Sequence, residues 1–121
     1  MLPKPHRLHR RDFQELYQSS ERYRGVYLLL RLHYRSSSSD AKPYPCRIGI
    51  VIAKKTCKLA VQRNRIRRQL RFICQDFLSQ LGQGRDLIIT VTSLEGNPSF
   101  EDLRQDLWQL FQKAEAIYGS E

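Results

Sequence analysis

The sequence predicts a single small α+β domain, an α/β sandwich in which helices cover a central mixed β-sheet. Three observations predict it. Residues 25–35 alternate in polarity with the period of a strand. Two apolar, β-branched runs, 47–53 and 86–92, flank a stretch in which Ile66, Leu70, Ile73, Phe77 and Leu81 recur at spacings of four, three, four and four. That spacing is the stripe of an amphipathic helix. A second helical stripe follows the last strand. At 121 residues the chain suits one domain with a core of its own, spanning 1–121.

Each element has a local reason. Met1 to Arg11 is basic and broken by Pro3 and Pro5, so it reads as an extended arm or a frayed terminus. Asp12 to Ser19 is a short helix with Phe13, Leu16 and Tyr17 on one side, where core packing is the ordinary use of such aromatics. A short strand around Arg22 to Arg24 precedes the alternating one. In that strand Val26, Leu28, Leu30, Leu32 and Tyr34 form the core face, and Tyr27, Leu29, Arg31, His33 and Arg35 form the other. The second set mixes aromatic and basic groups, as an RNA-binding sheet face does and as an ordinary solvated face also can.

Ser36 to Pro45, with four serines and two prolines, is a flexible loop joining a hairpin. In Arg47 to Ala53, Ile48, Ile50, Val51 and Ile52 are nearly continuous, which predicts burial on both faces. The helix that follows ends at Gly82-Gln83-Gly84, and Asp86 to Thr92 returns as a strand. Strand, helix, strand at this length is ordinarily a right-handed parallel crossover. After the loop 93–98, Ser99 can cap a last helix, with Asp102 three residues on. Phe100, Leu103, Leu107, Leu110, Phe111, Ala114 and Ile117 form its packing stripe, with Trp108 beside it.

Charge points to a polyanion. The net charge is +9 and the pI about 9.9. The distribution is uneven: residues 1–75 hold eighteen Lys/Arg against four Asp/Glu, whereas 76–121 hold three against eight. A basic front and an acidic back favour an oriented anionic surface over general stickiness. The densest block, Ala53 to Arg71, has eight basic residues in nineteen and no acid: Lys54, Lys55, Lys58, Arg63, Arg65, Arg67, Arg68 and Arg71. On the helix, Arg63, Arg67 and Arg71 sit four apart with Asn64 and Arg68 beside them, a wide polar face next to the apolar stripe. Arginine's rigid, permanently charged fork suits phosphate oxygens.

This block also carries a resemblance. Arg63-Asn64-Arg65-Ile66-Arg67-Arg68, preceded by Lys54-Lys55 at the end of an apolar run, resembles the RNR signature of the bacterial ribonuclease P protein family. Leu2-Pro3-Lys4, Arg7-Leu8 and Asp12-Phe13 are similar to that family's N-terminal segment. Ile48 to Ile52, Asp86 to Ile89 and Phe100 to Ala114 resemble its later elements, in the family's order.

The resemblance implies an αβββαβα order with a left-handed βαβ crossover at the RNR helix, similar to the ribosomal protein S5 domain 2-like fold. It implies a subunit of a ribonucleoprotein that removes the 5′ leader of precursor tRNA. The partners it implies are the catalytic ribonuclease P RNA and precursor tRNA, with no obligate protein partner. Mg²⁺ is expected as cofactor, bound mainly by the RNA. Lys54, Lys55, Lys58, Arg63, Asn64, Arg65, Arg67, Arg68 and Arg71 are then expected to hold the catalytic RNA. Phe13, Tyr17, Tyr27 and Arg31 are expected to receive the leader, stacking its unpaired bases where they are aromatic. The chain departs from the pattern in three places. Arg67 stands where lysine is common, Cys57 where many members have glycine, and Arg31 near a position that is aromatic in some.

The chain offers little catalytic chemistry of its own. His6, His9 and His33 are scattered, and no nucleophile–base pattern or metal-ligand spacing occurs. Glu101-Asp102 is explained by helix capping. A two-metal nuclease needs converging carboxylates, and the basic half has only Asp12, Glu15, Glu21 and Asp40. Two other classes remain open to the sequence: a structural, ribosomal-type RNA-binding protein and a protein-only ribonuclease. No apolar run reaches the roughly 18 residues of a membrane span, and Lys4, Arg7, Arg10 and Arg11 break any signal-peptide core. Cys46, Cys57 and Cys74 are odd in number and without a CxxC arrangement, so reduced thiols in the cytoplasm are expected.

Overall fold

The computed structural model describes residues 21–34, 46–77 and 85–114. Six elements lie in this range: β1 (Glu21–Arg24), β2 (Leu28–Tyr34), β3 (Arg47–Ile52), α1 (Ala60–Phe77), β4 (Arg85–Val91) and α2 (Phe100–Lys113). The predicted arm, the helix at 12–19 and the Ser/Pro loop at 36–45 lie outside the described residues. The four strands form one sheet in the order β1-β2-β4-β3. β1 and β2 pair as an antiparallel hairpin, β2 and β4 pair antiparallel, and β3 and β4 pair parallel, so the sheet is mixed. Helix α1 is therefore the crossover between two adjacent parallel strands, as the strand–helix–strand pattern predicts.

The register gives the sheet two chemically distinct faces. Leu28, Leu30 and Leu32 of β2 pair with Val91, Ile89 and Leu87 of β4, and these pair with Ile52, Ile50 and Ile48 of β3. These residues meet Ile66, Leu70, Ile73, Cys74 and Phe77 of α1 and Leu103, Leu107, Leu110 and Phe111 of α2 in one core. Each fully buried Leu, Ile or Phe contributes about 1.5–3 kcal/mol relative to exposure. The opposite face carries Arg22, Arg24, Leu29, Arg31, His33, Arg47, Asp86, Ile88 and Thr90.

Two expectations change. The apolar run in β3 is not buried on both faces: Ile48, Gly49 and Ile52 are buried, but Ile50 and Val51 are only half-buried. β3 is an edge strand, and the interior position belongs to β4, whose Asp86, Leu87, Ile88 and Ile89 are all buried. Val26, expected in the core, is 71% exposed. The strand begins at Leu28 because the chain turns before it, with the Gly25 N–H donating to the Leu28 carbonyl at 2.7 Å.

That turn is held from a distant helix. Asp106 of α2 is buried, and its carboxylate accepts from the backbone N–H groups of Val26, Tyr27 and Leu28 at 2.8, 2.9 and 3.0 Å. A Cβ on Gly25 would stand 2.5 Å from Asp106 Oδ1, so glycine lets the carboxylate reach the turn. At the start of α2 the predicted cap is present. Ser99 Oγ accepts from the Asp102 N–H, and Asp102 accepts from the Ser99 N–H.

A second buried acid sits on the far face. Asp86 is bound by the Arg47 guanidinium through two hydrogen bonds of 2.9 and 2.8 Å. The two residues are paired across the parallel ladder, so strand register creates this ion pair.

Candidate nucleic-acid interface

The basic block occupies the turn after β3 and the solvent side of α1. Leaving β3, the chain closes a tight turn in which the Thr56 and Cys57 N–H groups both donate to the Ala53 carbonyl. Lys54, Lys55 and Lys58 are exposed around it. Cys57 points inward and is buried, its Sγ 3.5 Å from Gln62 Oε1. Positive φ occurs among the described residues only at Gly96 and Asn97. Position 57 therefore holds a side chain without backbone strain.

Arg63 connects the turn to the helix. Half-buried, it donates from one guanidinium nitrogen to the carbonyls of Cys57 and Lys58, at 2.9 and 3.0 Å. The sequence expected it to hold RNA; the structure shows it fixing the loop that carries three lysines. Asn64, Arg65 and Arg68 are exposed, whereas Arg67 and Arg71 are half-buried along one flank of α1. The reason is angular. At about 100° per residue, positions 63, 67 and 71 lie progressively further from the buried stripe, and 64, 65 and 68 lie opposite it. No described ion pair involves Lys54, Lys55, Lys58, Arg65, Arg67 or Arg68. The acid nearest in sequence, Asp76, is bound by Arg104 of α2 at 2.6 Å.

The outer sheet face carries a second group of basic residues, Arg22, Arg24 and Arg31, around the buried Ile88 and the pair of Arg47 with buried Asp86. Arg31 is half-buried at its centre, paired in register with Arg22 on one side and Ile88 on the other. His33 and Leu29 flank it along β2. Tyr27 takes a different place from the one its alternation predicts. It precedes β2, is half-buried and packs against the core, because Asp106 draws the backbone of 26–28 toward α2. Phe13 and Tyr17 lie outside the described residues. Among the predicted site residues, then, the structure gathers the lysines and arginines of the turn and α1 on one surface, and sets Arg31 on another.

Sequence reasoning missed three features. Asp106 is one; an acid at the edge of the stripe Leu103, Leu107 and Leu110 was the available signal. Phe72 is another, 62% exposed on the basic helix and set edge-on to Phe100 at 5.8 Å. The third is a cavity of about 270 Å³ between α1 and the loop before α2, lined in part by Gln62, Arg65, Gln69 and Phe100. Among the described residues no group of three or more His, Cys, Asp or Glu side chains is placed to hold a metal ion. No helix among them is long and apolar enough to cross a membrane. The three cysteines are buried free thiols.

Known proteins share this arrangement. The family model described as Ribonuclease P matches residues 2–115. The ribonuclease P protein component of a Pseudanabaena species is 43% identical over 121 residues, covering 99% of this chain and 100% of the relative. That of Microcystis aeruginosa is 40% identical over 119 residues, covering 98% of each. Among solved structures, a Staphylococcus aureus RNase P protein mutant with defective mRNA degradation activity superposes with a TM-score of 0.80 at 20% identity, covering 94% of this chain and 92% of that one. The Thermotoga maritima RNase P protein gives 0.74 at 21% identity, covering 88% and 96%. At those identities the structures speak for the fold, and the matched length speaks for the family. The chain belongs to the ribonuclease P protein family, the protein component of the ribonucleoprotein that processes tRNA 5′ ends.

Proposed function

We propose that the turn after β3 and the exposed side of α1 hold the catalytic RNA, and that the outer sheet face receives the 5′ leader of precursor tRNA. The observation that carries the first part is the array of Lys54, Lys55, Lys58, Arg65, Arg67 and Arg68, unpaired with any described acid and fixed at its base by Arg63. Such an array exchanges condensed counterions for side-chain cations when it meets phosphates. Arg71 extends it along the helix, and Asn64 adds a directional hydrogen bond that a cation lacks.

For the leader, Arg31 lies among Arg22, Leu29 and His33, a mixture suited to an unpaired strand. Tyr27, which precedes β2 and packs against the core, borders this face rather than lying on it; Phe13 and Tyr17 belong to the same reading and lie outside the described residues. Hydrolysis with Mg²⁺ belongs on this reading to the RNA, which holds the metal. The protein screens phosphate charge and positions the substrate, in the cytoplasm and without an obligate protein partner.

The experiment is a titration of the ribonuclease P RNA from the same organism with the parent chain and with Arg68→Ala. A weaker, less salt-dependent complex for the variant supports the reading. Equal affinity and equal salt dependence would remove α1 from the RNA interface.

A further inference from the structure

Helix α1 presents more than charge. Val61, Arg65, Arg68 and Phe72 follow at spacings of four, three and four, and all four are exposed. They lie within about 60° of one another around the helix. An exposed stripe in which two guanidinium groups lie between two apolar side chains is unlike a merely solvated face. Phe72 ends it at 62% exposure, braced edge-on by Phe100, the first residue of α2.

Beside Phe100 opens the cavity of about 270 Å³. That is below the roughly 300–1,000 Å³ of clefts for drug-sized ligands, and suits a single planar ring. Its wall brings together three amide side chains, Gln62, Gln69 and Asn97, with Arg65 and Leu94. Asn97 reaches the rim through a turn in which it and Gly96 adopt positive φ, 50° and 80°, closed by its N–H to the Leu94 carbonyl at 3.1 Å. Amides donate and accept side by side, the pattern needed at the edge of a nucleobase. The beginning of α2 is not an anion site here, because Ser99 and Asp102 already occupy its cap. Phosphate charge therefore falls to Arg65 and Arg68; Gln69 and Asn97, with the amide N–H group of Gln62 (its Oε1 already accepts from Cys57 Sγ), are left for a neutral, polar, flat group.

We infer that the junction of α1 with the loop before α2 is a subsite for one unpaired nucleobase of the partner RNA. The base stacks at Phe72 and Phe100, its edge meets Gln62, Gln69 and Asn97, and its phosphates lie on Arg65 and Arg68. This rests on the reading that α1 faces the catalytic RNA, and adds base contacts to a surface otherwise explained by charge.

The test measures the Kd for the transcribed ribonuclease P RNA at several salt concentrations, for the parent, Phe72→Ala, Phe72→Tyr, Gln69→Ala and Arg68→Ala. Phe72→Ala is expected to weaken binding about 5- to 150-fold, the worth of one stacked base, with an unchanged salt slope. Phe72→Tyr keeps the ring and is expected to bind as the parent does. Gln69→Ala is expected to weaken binding with the slope unchanged. Thermal melts check folding, which exposed Phe72 does not govern. If Phe72→Ala and Gln69→Ala bind like the parent while Arg68→Ala weakens, the subsite is overturned and the basic interface stands. If all variants bind alike, the interface reading falls with it. A change in sedimentation of the protein alone on Phe72→Ala, with RNA affinity untouched, would overturn the subsite in favour of a contact between two copies of the chain.

Discussion

Gly25 and Asp106 are eighty-one residues apart and in direct apposition: a Cβ on Gly25 would stand 2.5 Å from the Asp106 carboxylate. The carboxylate accepts from the three N–H groups that follow Gly25, and so ties the β1–β2 turn to α2. Asp106→Ala strands those donors, two of them only partly buried, and is expected to cost about 3 kcal/mol. Gly25→Ala pushes the carboxylate away and is expected to cost a similar amount. The double variant should lose far less than the sum, since each change breaks one shared arrangement. Denaturant unfolding of the four proteins checks this; additive losses would show that the two residues act separately.

Arg63 and Arg68 separate folding from binding. Arg63→Ala removes two hydrogen bonds to the Cys57 and Lys58 carbonyls and frees the lysine-bearing turn. It is expected to lower stability by about 1–2 kcal/mol and to weaken RNA binding as well. Arg68→Ala is expected to leave the melting curve in place and to reduce the slope of log Kd against log salt by about 0.7–0.9, one phosphate contact. Melts and salt titrations on both variants check the contrast.

Arg31 tests the sheet face. Arg31→Ala is expected to weaken binding of precursor tRNA by the holoenzyme several-fold and to leave mature tRNA unaffected, since only the precursor carries a leader. Equal losses for both RNAs in a competition assay would take Arg31 out of the leader path.

Cys74 gives a pH dependence. Burial, and then the neighbouring Cys46, push its thiol well above the ordinary value of 9.0. The folded state therefore holds this proton more tightly than the unfolded chain. The resulting stability is complete below pH 9.0 and is lost as pH rises beyond it. Unfolding free energies from pH 7 to 10 should fall more steeply for the parent than for Cys74→Ala. Parallel curves would contradict the burial.

Much of this was legible in the sequence because periodicity reports burial. Ile66, Leu70, Ile73 and Phe77 predicted the buried side of α1, and Ser99 with Asp102 predicted the cap of α2. The parallel pairing of β3 and β4 followed from the strand–helix–strand spacing. Strand order was not legible. A run such as Ile48 to Ile52 reads alike at an edge or in the interior, so β3 was given the burial that belongs to β4. Val26 and Tyr27 were misplaced because a contact from residue 106 ends the alternation, and no local pattern reports a partner that distant. Charge density marked the basic turn and helix as the candidate interface, but only the fold shows Arg63 turned inward to the loop and Phe72 turned out. The crowding of Phe100 and Phe72 depends on how two helices meet, which neither helix's own sequence records.

The central claim is that this chain assists an RNA that does the chemistry. Precursor tRNA cleavage at low Mg²⁺, with the protein alone, the ribonuclease P RNA alone and both together, tests it most directly. The account predicts leader removal only, or far faster, with both components present. Cleavage by the protein alone would contradict it, as would an RNA active at high Mg²⁺ that gains nothing from the protein at low Mg²⁺.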